Sequence, residues 1–206
     1  MFIIKKYISS TYYEILVLSV SLFSLFLSIY LNIFNYDHHH PVKMFVEANQ
    51  LLTGLIPYKE IFISYGFLTT ALHSLSLIFF GKQVLSVFII TGIFYALTFP
   101  IFFLILRNLQ ISKKISFLSI LLVFLIHPNI VLPWSNYIAY FFLLVGIYHL
   151  TKQEDDHLNF FLVGLFWSLA CLSRQTYFIS LFFSVFSIIF CELFLKRNFF
   201  SLNESK

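Results

Sequence analysis

Asp37-His38-His39-His40 sets a carboxylate and three imidazoles where a long apolar run, Ile15 to Phe34, stops. Three other places hold groups able to do chemistry. They are Glu60 in "PYKE", His127 in "HPNIVLPWSNY" and Arg174 in "LSRQTY". A carboxylate at a partly desolvated rim holds its proton more readily and can accept one from a hydroxyl. Asp37 therefore reads as a general base or as a solvated carboxylate at a helix end. Glu60 reads as a second working carboxylate or as the surface ion-pair partner of Lys59. Arg174 sits between two apolar runs. There a guanidinium answers either to lipid headgroups or to a bound phosphate, which its forked donors suit. The three histidines do not read as a metal cage. Neighbouring side chains diverge by about 100° on a helix and point to opposite faces of a strand, whereas zinc sites use spaced ligands. His38 is left to help Asp37 hold an ion or a phosphate. No cofactor is expected, with a divalent metal left open.

These residues need a frame, and composition says what kind. The chain has 206 residues, 60% hydrophobic and 11% charged, with 29 Phe and 12 Tyr. Soluble domains carry about 25% charged residues, so the expectation is an integral membrane protein. Net charge is +4 and scattered, and with no basic stripe or nucleic-acid motif that partner class is excluded. Cys171 and Cys191 lie in apolar runs and read as small buried residues. The run Ile15 to Phe34 is too long for a signal-peptide core and reads as an uncleaved membrane helix.

The expected fold is all-α: a polytopic membrane helix bundle with about six transmembrane helices and two juxtamembrane helices in the first outer loop, forming a single domain over 1–206. The spans are placed at about 15–34, 84–106, 115–132, 135–150, 159–173 and 177–195. The outer loop is 35–83, with juxtamembrane helices at 41–53 and 66–80. The segment Gly66–Phe80 decides this topology. If it does not cross, Lys5, Lys6, Arg107, Lys113, Lys114, Lys152, Lys196, Arg197 and Lys206 share the side of the N-terminus. Lys43, Lys59, Lys82 and Arg174 then lie opposite. If it crosses, most of that basic charge moves outside, against the positive-inside rule. The N-terminus is thus expected in the cytoplasm and 35–83 outside. Pro41 suits a first helical turn and Gly54 a C-terminal cap. Between them Lys43, Glu47 and Gln50 form one polar face of an interfacial helix. Trp134 and Tyr137 suit a membrane-interface belt or the wall of a substrate groove. Ser21, Ser24 and Ser28 form a stripe suited to helix packing.

The order of features then matches a known pattern. One membrane helix, an acidic residue at its outer end, a helix closing in "LLTGLIPYKEIFISYG" and a short helix ending in "FFG" follow one another. This resembles the N-terminal module of the C superfamily of polytopic glycosyltransferases, which includes protein-mannosyltransferase-like and aminoarabinose-transferase-like families. Ala48, Leu51, Leu52, Gly54, Pro57, Tyr58, Tyr65, Gly66 and Gly81 carry the resemblance, and "GLFWSLACLSRQTYF" is similar to a later helix of the family. Glu60 stands where Asp is common and Phe67 where Pro is common. The resemblance covers roughly residues 10–195.

It implies transfer of a sugar from a polyprenyl-phosphate carrier to a glycan, lipid or protein acceptor on the outer or periplasmic face of a bacterial inner membrane. Asp37 and Glu60 take the catalytic acidic positions. Arg174, His127, Tyr58 and His38 are the substrate-binding candidates. Family members are generally longer, so this chain is expected to be a truncated product or to need a partner chain that completes the site. The alternative is a non-catalytic membrane fragment, subunit or lipid-handling scaffold.

Overall fold

The computed structural model describes residues 2–34, 39–126, 132–152 and 157–203. Eight helices account for most of them: α1 Phe2–Ile33, α2 His39–Leu52, α3 Phe67–Phe80, α4 Val84–Asn108, α5 Lys113–Ile126, α6 Ser135–Leu150, α7 His157–Ser173 and α8 Thr176–Asn203. Among the described residues, two stretches are long and apolar enough to cross a membrane, Thr11–Ile33 and Val84–Asn108. The fold is all-α among the described residues, as expected. Helices α5, α6 and α7 have 14, 16 and 17 residues, short of the roughly 20 that a full crossing takes.

Pairwise contacts give the directions. Ser21 meets Ala96, and Leu25 and Ser28 meet Gly92, so α1 and α4 are antiparallel. Helix α5 runs with α1, since Tyr13 meets Phe117 and Phe23 meets Phe124. Helix α6 runs with α4, since Tyr95 meets Tyr137 and Asn108 meets Tyr148. Phe142 meets Phe166 and His149 meets Asn159, which turns α7 against α6. The segment between α1 and α4 therefore leaves and re-enters the bundle at one end. The starts of α6 and α8 lie at that same end.

The core is built where small residues let helices approach. Val17, Tyr95, Phe99, Phe103 and Ile120 form its largest buried cluster. The serine stripe of α1 faces α4, with Ser21, Ser24 and Ser28 all buried. One of these contacts answers a defect in the partner helix. Pro100 lies inside α4 and has no N–H to give the carbonyl of Ala96, four residues back. The Ser21 hydroxyl donates to that oxygen at 2.6 Å.

Helix α2 ends as its sequence predicts. Gly54 has φ +88, the Gly54 N–H reaches Leu51 O at 3.1 Å, and the Leu55 N–H reaches Gln50 O at 3.4 Å. This is the Schellman arrangement, which needs a left-handed residue at that point. Helix α3 then lies antiparallel to the first turns of α4, with His73 opposite Thr91 and Leu77 clustered with Val87 and Ala48. Helix α4 begins about nine residues before α6 draws level with it, and those extra turns carry α2 and α3.

Candidate functional site

Asp37, His38 and His127 lie outside the described residues. Glu60, Tyr58 and Arg174 lie within them. The loop that follows α2 folds tightly on Ile56, whose carbonyl accepts the N–H groups of Lys59, Glu60 and Ile61 at 3.3, 2.9 and 3.2 Å. The Glu60 carboxylate closes the other side by accepting the Ile56 N–H at 2.7 Å. It is exposed, and among the described residues it forms no ion pair with Lys59. Its first task is to hold this loop. Tyr58 sits at the tip with φ 62, a conformation in which a bulky residue is strained, and its ring is 59% exposed.

Beside this loop runs an open groove of about 680 Å³, lined by Lys43, Glu47 and Gln50 of α2 together with Glu60 and Phe62. The sequence puts Glu47 on the polar face of an interfacial helix with Lys43 and Gln50. The structure buries it, leaving it only 4% exposed. Its carboxylate accepts a hydrogen bond from the Ser64 hydroxyl and lies 3.5 Å from the Ser64 N–H. A buried carboxylate needs such donors. Lys43 stands 5.5 Å from the centre of the Phe62 ring.

Arg174 occupies the turn between α7 and α8 and is half-buried. Its guanidinium lies 5.3 Å from the centre of the Tyr65 ring. Nε donates to the Thr176 hydroxyl at 3.0 Å, and one terminal nitrogen lies 3.5 Å from the buried Ser135 hydroxyl. Among the described residues no carboxylate comes within ion-pair distance. Three elements position it. The Tyr65-Gly66 backbone comes up to α7 so closely that a side chain at Gly66 would collide with the Leu172 and Ser173 carbonyl oxygens. Thr69 ties the same place by donating to Ser173 O at 2.9 Å. Helix α6 supplies Ser135.

Below Arg174 is a second cavity, of about 400 Å³. Tyr95 and Thr98 of α4, Val123 of α5, Trp134, Asn136, Tyr137 and Tyr140 at the start of α6, and Tyr177 of α8 line it. His40, in the first turn of α2, meets the Trp134 ring edge-on at 5.8 Å. The sequence reading included Trp134 and Tyr137 as a groove wall but missed Tyr140, Tyr177 and Asn136. A signal for Tyr140 was present, because 134, 137 and 140 recur at helical spacing on one face of α6. Among the described residues, no three of His, Cys, Asp and Glu gather as metal ligands.

The structure thus brings Arg174, Tyr65 and the aromatic cavity together at the end where α2 and α3 sit, with Glu60 and Tyr58 on the loop between those helices. What this arrangement can do is bind an anion at Arg174 and an uncharged group beside it. No family model, curated protein or solved structure matches the chain.

Proposed function

We propose that the chain is an integral membrane protein of six crossing helices, the short α5, α6 and α7 crossing with snorkelling flanks such as Lys113 and Lys114, whose α2–α3 end carries a sugar-transfer site of the C-superfamily glycosyltransferase type. The N-terminus lies in the cytoplasm of a bacterial cell, and α2, α3 and the Arg174 turn lie on the periplasmic face of the inner membrane. The observation that carries this reading is Arg174. It is a half-buried guanidinium, braced by Tyr65, Thr176 and Ser135 and without an acidic partner among the described residues. A held cation of this kind suits the phosphate of a polyprenyl-phosphate sugar, where it stabilises the departing lipid phosphate. Asp37, at the chain's exit from α1, is the base that takes the acceptor's hydroxyl proton. Glu60 acts as the second acidic residue of the segment by fixing its loop.

The test is sugar transfer by purified protein in lipid nanodiscs. Asp37→Asn should abolish transfer with unchanged abundance in the membrane. Transfer at the wild-type rate would remove Asp37 from the mechanism.

A non-catalytic scaffold is the second reading. The engagement of Glu60 with Ile56 N–H favours it, since a carboxylate occupied in that way is less available to a substrate. It predicts no turnover of any polyprenyl-phosphate sugar and full tolerance of Arg174→Gln.

A further inference from the structure

The aromatic cavity beneath Arg174 has its own chemistry. Four phenols, an indole, an amide and the Thr98 hydroxyl line it, and no charged side chain does. The Thr98 hydroxyl already donates to Tyr95 O at 2.6 Å, so toward a ligand it acts as an acceptor. The cation stands just outside. Arg174 contacts Ser135, which lies between the two lining residues Trp134 and Asn136, and Tyr177 follows it by three positions. An anion is therefore matched at the rim and a neutral group within. Small-molecule pockets span roughly 300–1,000 Å³, and this one lies near the lower limit. That suits a single ring better than a long isoprenoid chain. Aromatic faces stack against the C–H faces of a sugar, while phenol and amide groups exchange hydrogen bonds with its hydroxyls.

We propose that the cavity lined by Tyr95, Trp134, Asn136, Tyr137, Tyr140 and Tyr177 holds the neutral sugar ring of a ligand whose phosphate is held by Arg174. The cavity thereby selects glycosylated over bare lipid phosphate. This rests on the sugar-transfer reading, and the experiment separates the two.

The sequence contains two tryptophans, so full-length protein carrying Trp167→Phe reports on Trp134 alone. Geranylgeranyl phosphate and its hexosyl phosphodiester are titrated into nanodiscs while Trp134 emission is followed, with radiolabelled ligand as a parallel measure of binding. The hexosyl ligand should bind several-fold tighter and shift Trp134 emission, whereas the bare phosphate should bind without the shift. Asn136→Ala and, more conservatively, Tyr140→Phe should bring the two affinities together. Arg174→Gln should weaken both by about tenfold, the scale of one charge-assisted contact. Equal affinities with no Trp134 response would overturn the cavity assignment while leaving transfer untouched. Preferential binding by a protein that transfers nothing would uphold the cavity and overturn the transfer reading. Failure of both ligands to bind would overturn both.

Discussion

The hydroxyl of Ser21 completes a hydrogen bond that Pro100 denies to Ala96. Its oxygen lies 2.6 Å from Ala96 O across the α1–α4 contact, and the pair is buried. Ser21→Ala should leave that carbonyl without a donor and cost about 1–3 kcal/mol. Pro100→Ala returns an N–H to α4, so Ser21→Ala should cost less in that background. A double-mutant cycle by thermal unfolding in detergent checks the coupling. Additive effects would show that the two positions act independently.

Gly66 is a second point where two backbones meet. A Cβ there would collide with the carbonyl oxygens of Leu172 and Ser173, which cannot rotate aside as a side chain could. Gly66→Ala should destabilise by about 1–3 kcal/mol, the usual cost of overpacking. It should also break the Thr69–Ser173 bond and displace Arg174, whose brace Tyr65 is the adjacent residue. Loss of phosphate-lipid binding alongside the fall in stability is the expected pair of readouts.

His73 gives the α2–α3 segment a pH dependence. It is fully buried between α3 and α4. The Thr91 hydroxyl donates to Val87 O at 2.9 Å, so it accepts from Nε2–H of His73 at 3.1 Å. Nδ1 has no partner among the described residues. Burial lowers the imidazole pKa from 6.5 to about 3. The unfolded chain then binds the proton first as pH falls. The stability contribution is complete above pH 6.5 and is lost progressively toward pH 3, with a slope approaching about 1.4 kcal/mol per pH unit. Other acidic groups titrate in this window, so the measurement is the difference between wild type and His73→Leu. A difference that does not vary with pH would place the imidazole in a wetter site.

Tyr58 separates stability from function. Its left-handed backbone costs about 1–2 kcal/mol for a side chain of this kind, while its exposed ring gains little from burial. Tyr58→Gly should raise the unfolding temperature. If Tyr58 contacts the donor or acceptor, the same substitution lowers sugar transfer. Higher stability with undiminished transfer would confine Tyr58 to the loop.

Topology is checked by labelling. In a chain with Cys171 and Cys191 replaced by serine, Lys82→Cys should react with an impermeant maleimide from outside, and Gln110→Cys should not. The reverse result would overturn the orientation.

Much of the helical frame was legible because apolar runs and their punctuation are local signals. Gly54 ends α2 as its type and position require, and the α1 serines pack against α4 as their spacing suggests. The expectation that Gly66–Phe80 turns back rests on charge balance, and the structure shows α1 and α4 antiparallel. Other features were not legible because they depend on partners distant in sequence. Glu47 falls on the polar side of α2, and only the position of Ser64 reveals that it is buried. The link from Ser21 to Pro100 depends on the register of two helices far apart in the chain. The aromatic cavity draws on α4, α5, α6 and α8, so periodicity within α6 exposes one wall of it.

The extra turns of α4 have a metric consequence. No flexible linker separates the α2–α3 segment from the bundle on this side, because the helix that carries the segment is the helix that enters the core. The nine residues from 84 to 92 thus act as a ruler, letting the far end of the segment reach about 13 Å beyond the start of α6 at about 1.5 Å per residue, while Tyr65 and Gly66 stay level with Arg174 and Ser135. Deleting one of them would lower the segment by one rise and swing it through about 100°. That would carry His73 off Thr91 and Tyr65 off Arg174 in a single step.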